Sequence, residues 1–356
     1  MQITPLVMHK FDYSFLSCDL LPARFVSISA AISELREREN SRKSDFPALF
    51  EKLESIAKVQ SIKSSNAIEG IVTSDQRIEE IVNQDSAPLN HDEAEIAGYR
   101  DALDLIHRNF AQLDFRERDI LALHELMLAR LPAAGAGGHY KNADNLIMEL
   151  RADGTRKIRF TPTPASETAP AMEQLALAYM DARDNPAINK LLLIPSVILD
   201  FLCIHPFADG NGRMSRLLSL LLLYKNGYDA VRYISFEEQI NNNKPAYYEA
   251  LKTSSANWRE NKNTSLPFIE NFISTLLHCH KELDKRFAVV NSGRPTKRRR
   301  IEATVMNSLL PISKQEISRI LPDVSPTTIE LALREMQKSG QIEKLGTTKD
   351  AKYLKK

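Results

Sequence analysis

The chain has 356 residues, 43% hydrophobic and 26% charged, with 47 Lys and Arg against 46 Asp and Glu and a net charge of +1. This is an ordinary globular composition with room for two or three domains, and its near-neutrality gives no global bias toward nucleic acid or membrane. Residues 1–10 lack the apolar core of a secretory signal, and the longest apolar runs, near 14 residues and interrupted by Pro195 and Asp200, are too short to span a bilayer, so a cytoplasmic protein is expected.

In chain order, residues 27–43 form a charged amphipathic stretch that predicts a helix covering part of the core. A second helix is expected from Asp45, with a cap and an early proline, placing Leu49, Phe50, Leu53, Ile56 and Ala57 on one face. It runs into SSNAIEGI, residues 64–71, where Ser65 and Glu69 are four apart and share a face, and Gly70 is a natural stop. A glutamate at that end is slightly unfavourable against the helix dipole. Residues 90–110 and 115–131 read as two amphipathic helices, and glycines between 135 and 138 break the pattern. A hairpin follows, with strands at 145–150 and 157–161, a turn at Ala152, Asp153 and Gly154, and closure by Pro162 and Pro164. Nothing in the hairpin is catalytic in kind. Cys18 and the later Cys203 and Cys279 lack CxxC spacing, which argues against a disulfide framework or zinc site.

Core helices are expected over 165–223, interrupted by HPFADGNGRMSR, residues 205–216. Pro206 should stop the incoming apolar helix at or before His205, leaving the histidine on a loop edge. Asn211 is a plausible N-cap, Gly212 opens the next helix, and Gly227 ends it. The first turn of a helix favours anions, yet the charged residues here are Arg213 and Arg216, three apart, which suits a bound group carrying several negative charges. Gly210 and Gly212 allow close backbone approach, and Asp209 either neutralises the arginines or holds a divalent cation. DGNG alone is a common turn. A histidine, a carboxylate, an N–H cradle and two arginines together are the parts of phosphoryl or nucleotidyl transfer.

Beyond this loop, Tyr247 and Tyr248 read as partial core, and Trp258 and residues 268–277 close it. His278 and His280, two apart, fall on different helix faces and read as surface positions. From residue 291 to the end there are 14 Lys and Arg against 7 Asp and Glu, net +7, leaving −6 for the rest. Residues 293–300 read as a linker entering a helix, followed by helix, helix and a two-stranded wing. The candidate contact helix, 326–339, carries Glu330 and Glu335 beside Arg334 and Lys338, so DNA contact and a protein-interaction or dimer role stand level.

HPFADGNGRMSR resembles the signature of the Fic family, H-x-F-x-D/E-G-N-G-R-x-x-R, with His205, Phe207, Asp209, Gly210, Asn211, Gly212, Arg213 and Arg216 at every fixed position. The resemblance implies a mainly α fold: a Fic-type helical core with a β-hairpin flap, plus a small C-terminal winged-helix (α+β) module. The corresponding division is an N-terminal helical region at 1–110 with an inhibitory helix at about 45–70, a core at 111–288 with the flap at about 145–161, and a linker and winged-helix-like unit at 289–356. It implies transfer of AMP from ATP to a Ser, Thr or Tyr hydroxyl of a target protein, or of the chain itself, with release of pyrophosphate. His205 would be the base. Asn211 and neighbouring N–H groups would hold the α-phosphate, Arg213 and Arg216 the β and γ groups, and Asp209 a Mg²⁺ ion. SNAIEG resembles the family's inhibitory motif, with Ser65, Glu69 and Gly70 at its fixed positions and Glu69 competing with phosphate for Arg216. By the same resemblance, Lys157, Ile158, Arg159 and Phe160 would fall on the strand that lays a target segment beside the site, and the Tyr247–Tyr248 pair would border the adenine pocket. Lys141 departs from the arginine frequent at its position. The rival readings are AMP removal or transfer of another phosphate-containing group on the same site, and a nucleotide-sensing DNA-binding regulator. The partners implied are the target hydroxyl, DNA or protein at the C-terminal unit and a second copy of the chain, with no membrane.

Overall fold

Leu191 to Ile204 is apolar around its circumference except for Ser196 and Asp200, and a helix of that kind is stable only when enclosed. The structure, a computed structural model, describes residues 9–18, 21–43, 45–132, 137–150, 155–291, 296–308, 310–346 and 351–355. Its elements are α1 (Phe15–Cys18), α2 (Ala23–Lys43), α3 (Pro47–Ile68), α4 (Asp75–Gln84), α5 (His91–Asn109), α6 (Glu117–Leu128), β1 (Ile147–Leu150), β2 (Arg156–Phe160), α7 (Ala165–Asp184), α8 (Lys190–Ile204), α9 (Asn211–Lys225), α10 (Ala230–Tyr233), α11 (Phe236–Asn242), α12 (Lys244–Ser255) and α13 (Leu266–Asn291). A second group comprises α14 (Lys297–Met306), β3 (Ile312–Ser313), α15 (Lys314–Ile320), α16 (Pro326–Lys338), β4 (Ile342–Leu345) and β5 (Lys352–Lys355). The fold is mainly α, as expected. No helix among the described residues is long and apolar enough to cross a membrane.

Helix α8 is buried from Leu191 to Ile204, packed by α7, α9, α12 and α13. Its one carboxylate, Asp200, is satisfied inside the core, accepting from Tyr13 Oη at 2.7 Å and Trp258 Nε1 at 2.7 Å. Helix α3 lies against α5, α9, α10 and α11, which carries its C-terminal end over the start of α9. One apolar cluster runs from Tyr13 to Phe287, and a separate one joins Ile301, Ile317, Ile329, Leu333 and Tyr353 in the C-terminal group. That group holds three helices against a three-stranded antiparallel sheet ordered β3-β5-β4. The short strand β3 was not expected from the sequence, because two residues are too few to show alternation.

The expected hairpin forms, with Met148 opposite Ile158 and Glu149 opposite Lys157. Its turn at Ala152, Asp153 and Gly154 lies outside the described residues, as do Gly135 and residues 293–295 of the expected linker. Three readings are corrected. Helix α3 has Phe46 at its N-cap position with no side-chain cap bond, so Pro47 sets its start rather than a capping Asp45. Helix α4, capped by Ser74, was not anticipated. His280 is not a surface position: α2 crosses its face of α13, and Nδ1 lies 2.7 Å from Glu39 Oε1 with both residues buried.

Because this pair is enclosed, Glu39→Leu should leave a polar ring stranded and lower the unfolding free energy by about 3–5 kcal/mol, whereas Glu39→Leu/His280→Leu should recover most of the loss. Urea unfolding midpoints of the two variants check this.

Candidate active site

Helix α8 stops where Pro206 requires it to stop. His205 takes a left-handed conformation, φ 52°, and its N–H still reaches back to Phe201 O at 3.0 Å. The loop turns again at Gly210, φ 79°, and α9 begins at Asn211. The cap is therefore Gly210, and the expected N-cap role of Asn211 is corrected. Its amide instead closes the loop on Phe207, with Oδ1 accepting the Phe207 N–H at 2.9 Å and Nδ2 donating to Phe207 O at 2.8 Å. With no side-chain cap, the first N–H groups of α9 stay open at the positive end of the dipole. Phe207 is held from the other side by His124, stacked at 3.6 Å between ring centroids. His124 Nδ1 accepts the Gly138 N–H at 3.1 Å, which leaves Nε2 to donate to Asp209 O at 3.1 Å.

The two arginines part company. Three positions along α9 is roughly 60° around its axis, enough to send each guanidinium to a different neighbour. Arg216 faces α3: Nε donates to Ser65 Oγ at 2.8 Å, and Nη2 donates to Ser65 O and to Glu69 Oε1, each at 2.8 Å. Arg213 faces α5, where it is enclosed and pairs by charge with Glu95, and its Nη2 lies 3.5 Å from Asp209 Oδ2. In this arrangement Arg213 lies between Glu95 and Asp209, and Arg216 is held by Ser65 and Glu69. A Cβ on Gly212 would overlap the Glu69 carboxylate, so glycine is what lets that carboxylate lie against the helix start. Gly70, φ 85°, has open space where a Cβ would stand, and its N–H donates to Ala67 O at 3.1 Å in the turn that ends α3.

His205 is partly buried at the loop edge, where it faces two cavities. Burial, and next the nearby Lys141 ammonium, lower its pKa to about 4, so the ring is neutral at neutral pH. The two cavities meet at this imidazole. One, about 1120 Å³, is lined by Arg159, Phe160, Lys244, Tyr247 and Tyr248. The other, about 350 Å³, is lined by Glu95, Asp209, Gly210, Asn211 and Arg213, and both share Glu69, His205 and Gly212. Tyr247 is buried against Phe268, while Tyr248 is the more open ring, with the Arg159 guanidinium 5.7 Å from its centroid. On the hairpin, Arg159 and Phe160 line the cavity, whereas Lys157 and Ile158 are exposed. Asp209 is open to solvent, and no cluster of three metal-ligating side chains occurs among the described residues.

Sequence reasoning did not assign His124, Glu95 or Asn145 to the site. His124 and Glu95 sit on the apolar stripes of amphipathic helices, which was the available signal. Burial lowers the His124 pKa to about 4 as well. The folded chain thus refuses protons that the unfolded chain takes up below about pH 6.5. Stability is therefore full above that pH and falls as the pH drops toward 4, with His124 contributing on the order of 3 kcal/mol. Guanidinium unfolding at successive pH values should show this slope, and His124→Gln should flatten it.

The Fic/DOC family model matches residues 113–223. A Fido domain-containing protein of Dictyostelium discoideum is 34% identical over 123 residues, covering 35% of this chain and 80% of that protein. Among solved structures, a Fic family protein from Desulfovibrio desulfuricans aligns over 96% of this chain and 98% of its own with a TM-score of 0.61 and 22% identity. A Fic-domain-containing signalling protein from Bacteroides thetaiotaomicron aligns over 72% of this chain and 96% of its own, with a TM-score of 0.60 and 22% identity. Signature loop, helical core and sequence relative agree: the chain belongs to the Fic/Fido domain family.

Proposed function

We propose that the chain transfers AMP from ATP to a Ser, Thr or Tyr hydroxyl of a target protein or of itself, and that Glu69 holds this activity down. The observation that carries the reading is the Arg216–Glu69 pair at the uncapped start of α9. A guanidinium aimed at a helix N-terminus and occupied by a carboxylate is a phosphate site filled by a substitute, since carboxylate and phosphate compete for one fork. The larger cavity, lined by both Tyr248 and Arg216, suits the nucleoside and the terminal phosphate, and the smaller one, at the open start of α9 beside Asp209, suits the α-phosphate and its cation.

In this mechanism the N–H groups at Asn211 and Gly212 cradle the α-phosphate, and Arg216, released from Glu69, takes the terminal phosphate. Neutral His205 accepts the proton of the incoming hydroxyl, whose oxygen bonds to the α-phosphorus as the bond to pyrophosphate breaks. The donor set fits Mg²⁺ better than a cation that needs a full protein cage, because a single open carboxylate leaves room for waters and phosphate oxygens. Asp209 would hold the ion, which would neutralise charge on the phosphates. Arg213 and Glu95 fix Asp209, and Asn211 and His124 fix Phe207, so the loop is set before the substrate arrives.

Removing the brake should raise transfer by about 10- to 100-fold, the factor set by a charge-assisted hydrogen bond of about 1.5–3 kcal/mol. With Mg-ATP, Glu69→Gly should gain the mass of AMP by intact-mass spectrometry, and Glu69→Gly/His205→Ala should not. ATP labelled separately at the α and γ positions should leave only the α label on protein; a retained γ label would assign phosphate transfer instead.

A further inference from the structure

The four successive carbonyls from the last residue of α8 onward, Ile204 to Phe207, all receive donors, and nearly all of these come from one short segment. Lys141 Nζ donates to Ile204 O at 3.2 Å and to His205 O at 2.9 Å, and the Lys141 N–H donates to Pro206 O at 2.9 Å. Asn145 Nδ2 donates to Phe207 O at 3.2 Å, alongside Asn211. The third proton of the Lys141 ammonium goes to Asn145 Oδ1 at 2.9 Å, so three donors meet three acceptors. Lys141 is 5% exposed, and Asn145 lies two positions before strand β1 of the hairpin.

From this clamp we propose that Lys141, braced by Asn145, is a positioning residue: it ties the base of the hairpin to the carbonyl run of the signature loop and so fixes where His205 presents its imidazole. A helix end carrying a left-handed histidine has orphan carbonyls and no helical partners to hold its direction. The ammonium supplies both at once, and a compact cation reaches three carbonyl oxygens that a planar guanidinium would address two at a time. The consequence is mechanical. A target segment lying on the hairpin presses on the same residues that aim the base. The charged groups that face the imidazole include Lys141 from this segment, Glu69 from the end of α3 and Asp209 from its own loop, with Arg159, Arg216 and Lys244 lining the larger cavity and Glu95 and Arg213 the smaller. Lys141 therefore adds to burial in disfavouring the protonated ring.

The inference rests on the proposed transfer reaction, and its test separates the two. In the Glu69→Gly background, Lys141→Met should lower kcat by about 10- to 100-fold, as expected of a misaimed base, while the Kd for ATP by calorimetry changes little. The His205 ring titration, followed by NMR and assigned with His205→Ala, should move up by roughly one pH unit once the neighbouring cation is gone. Lys141→Arg keeps the charge and should hold the titration in place and restore much of kcat. Asn145→Ala, which removes one brace without touching the charge, should lower kcat with no shift in titration, and it carries the test if Lys141→Met does not fold. Unchanged kcat and titration in Lys141→Met would overturn the inference, as would loss of ATP binding in step with kcat. If Glu69→Gly itself transfers no AMP, the transfer reading falls, and the NMR titration still decides the role of Lys141.

Discussion

The Arg216 guanidinium is enclosed in the protein and must be matched there, because a buried unpaired charge costs several kcal/mol. Its partners, Ser65 Oγ, Ser65 O and Glu69 Oε1, come from the last turn of α3 and the residue that caps it, about 150 residues earlier in the chain. Two of the three bonds go to Ser65, which holds the arginine in register whatever occupies the third position. The Glu69 side chain is one-third exposed, so the exchangeable partner is the one nearest water. Structural anchoring and competition for phosphate are thus divided between neighbouring turns of one helix face.

The signature loop is rigid for a reason distinct from its chemistry. A six-residue connection between two apolar helices carries a left-handed non-glycine residue, a proline and an uncapped helix start, none of which is stable alone. Each is held from outside: Phe207 by His124 and Asn211, Asp209 by Arg213, and the carbonyls by Lys141 and Asn145. Burial of this scaffold keeps both histidines neutral, so the desolvation that orders the loop also leaves His205 able to accept a proton. Order and the neutral ring have one cause.

Helix α3 also reaches beyond the site. Twenty-two residues span about 33 Å, so the end opposite Glu69 meets the C-terminal unit, where Lys52 lies 3.6 Å from Glu316 and Leu49 and Leu53 face Ile320 and Leu321. The two apolar cores are separate, yet one rigid element touches both.

Local chain stiffness made much of this legible from sequence. Pro206 ending α8, Gly227 following α9, the hairpin, the shared face of Ser65 and Glu69 and the parts of the loop all follow from turn and helix rules acting over a few residues. Those rules failed where a side chain had two uses: Asn211 has the chemistry of a cap and serves as a loop staple, and His280 has the chemistry of a surface residue and pairs with Glu39 in the interior. Which arginine meets which carboxylate was beyond reach, because a helical period places Arg213 and Arg216 on α9 but says nothing of whether α5 or α3 lies opposite each. The same holds for Lys141, whose three acceptors come together only when residues some sixty positions apart are packed side by side. The sequence by itself determined the local conformations and the list of reactive groups. Only the tertiary structure decided their pairing, since enclosed charges and carbonyls take the partner that packing brings to them, and packing is a property of the whole chain.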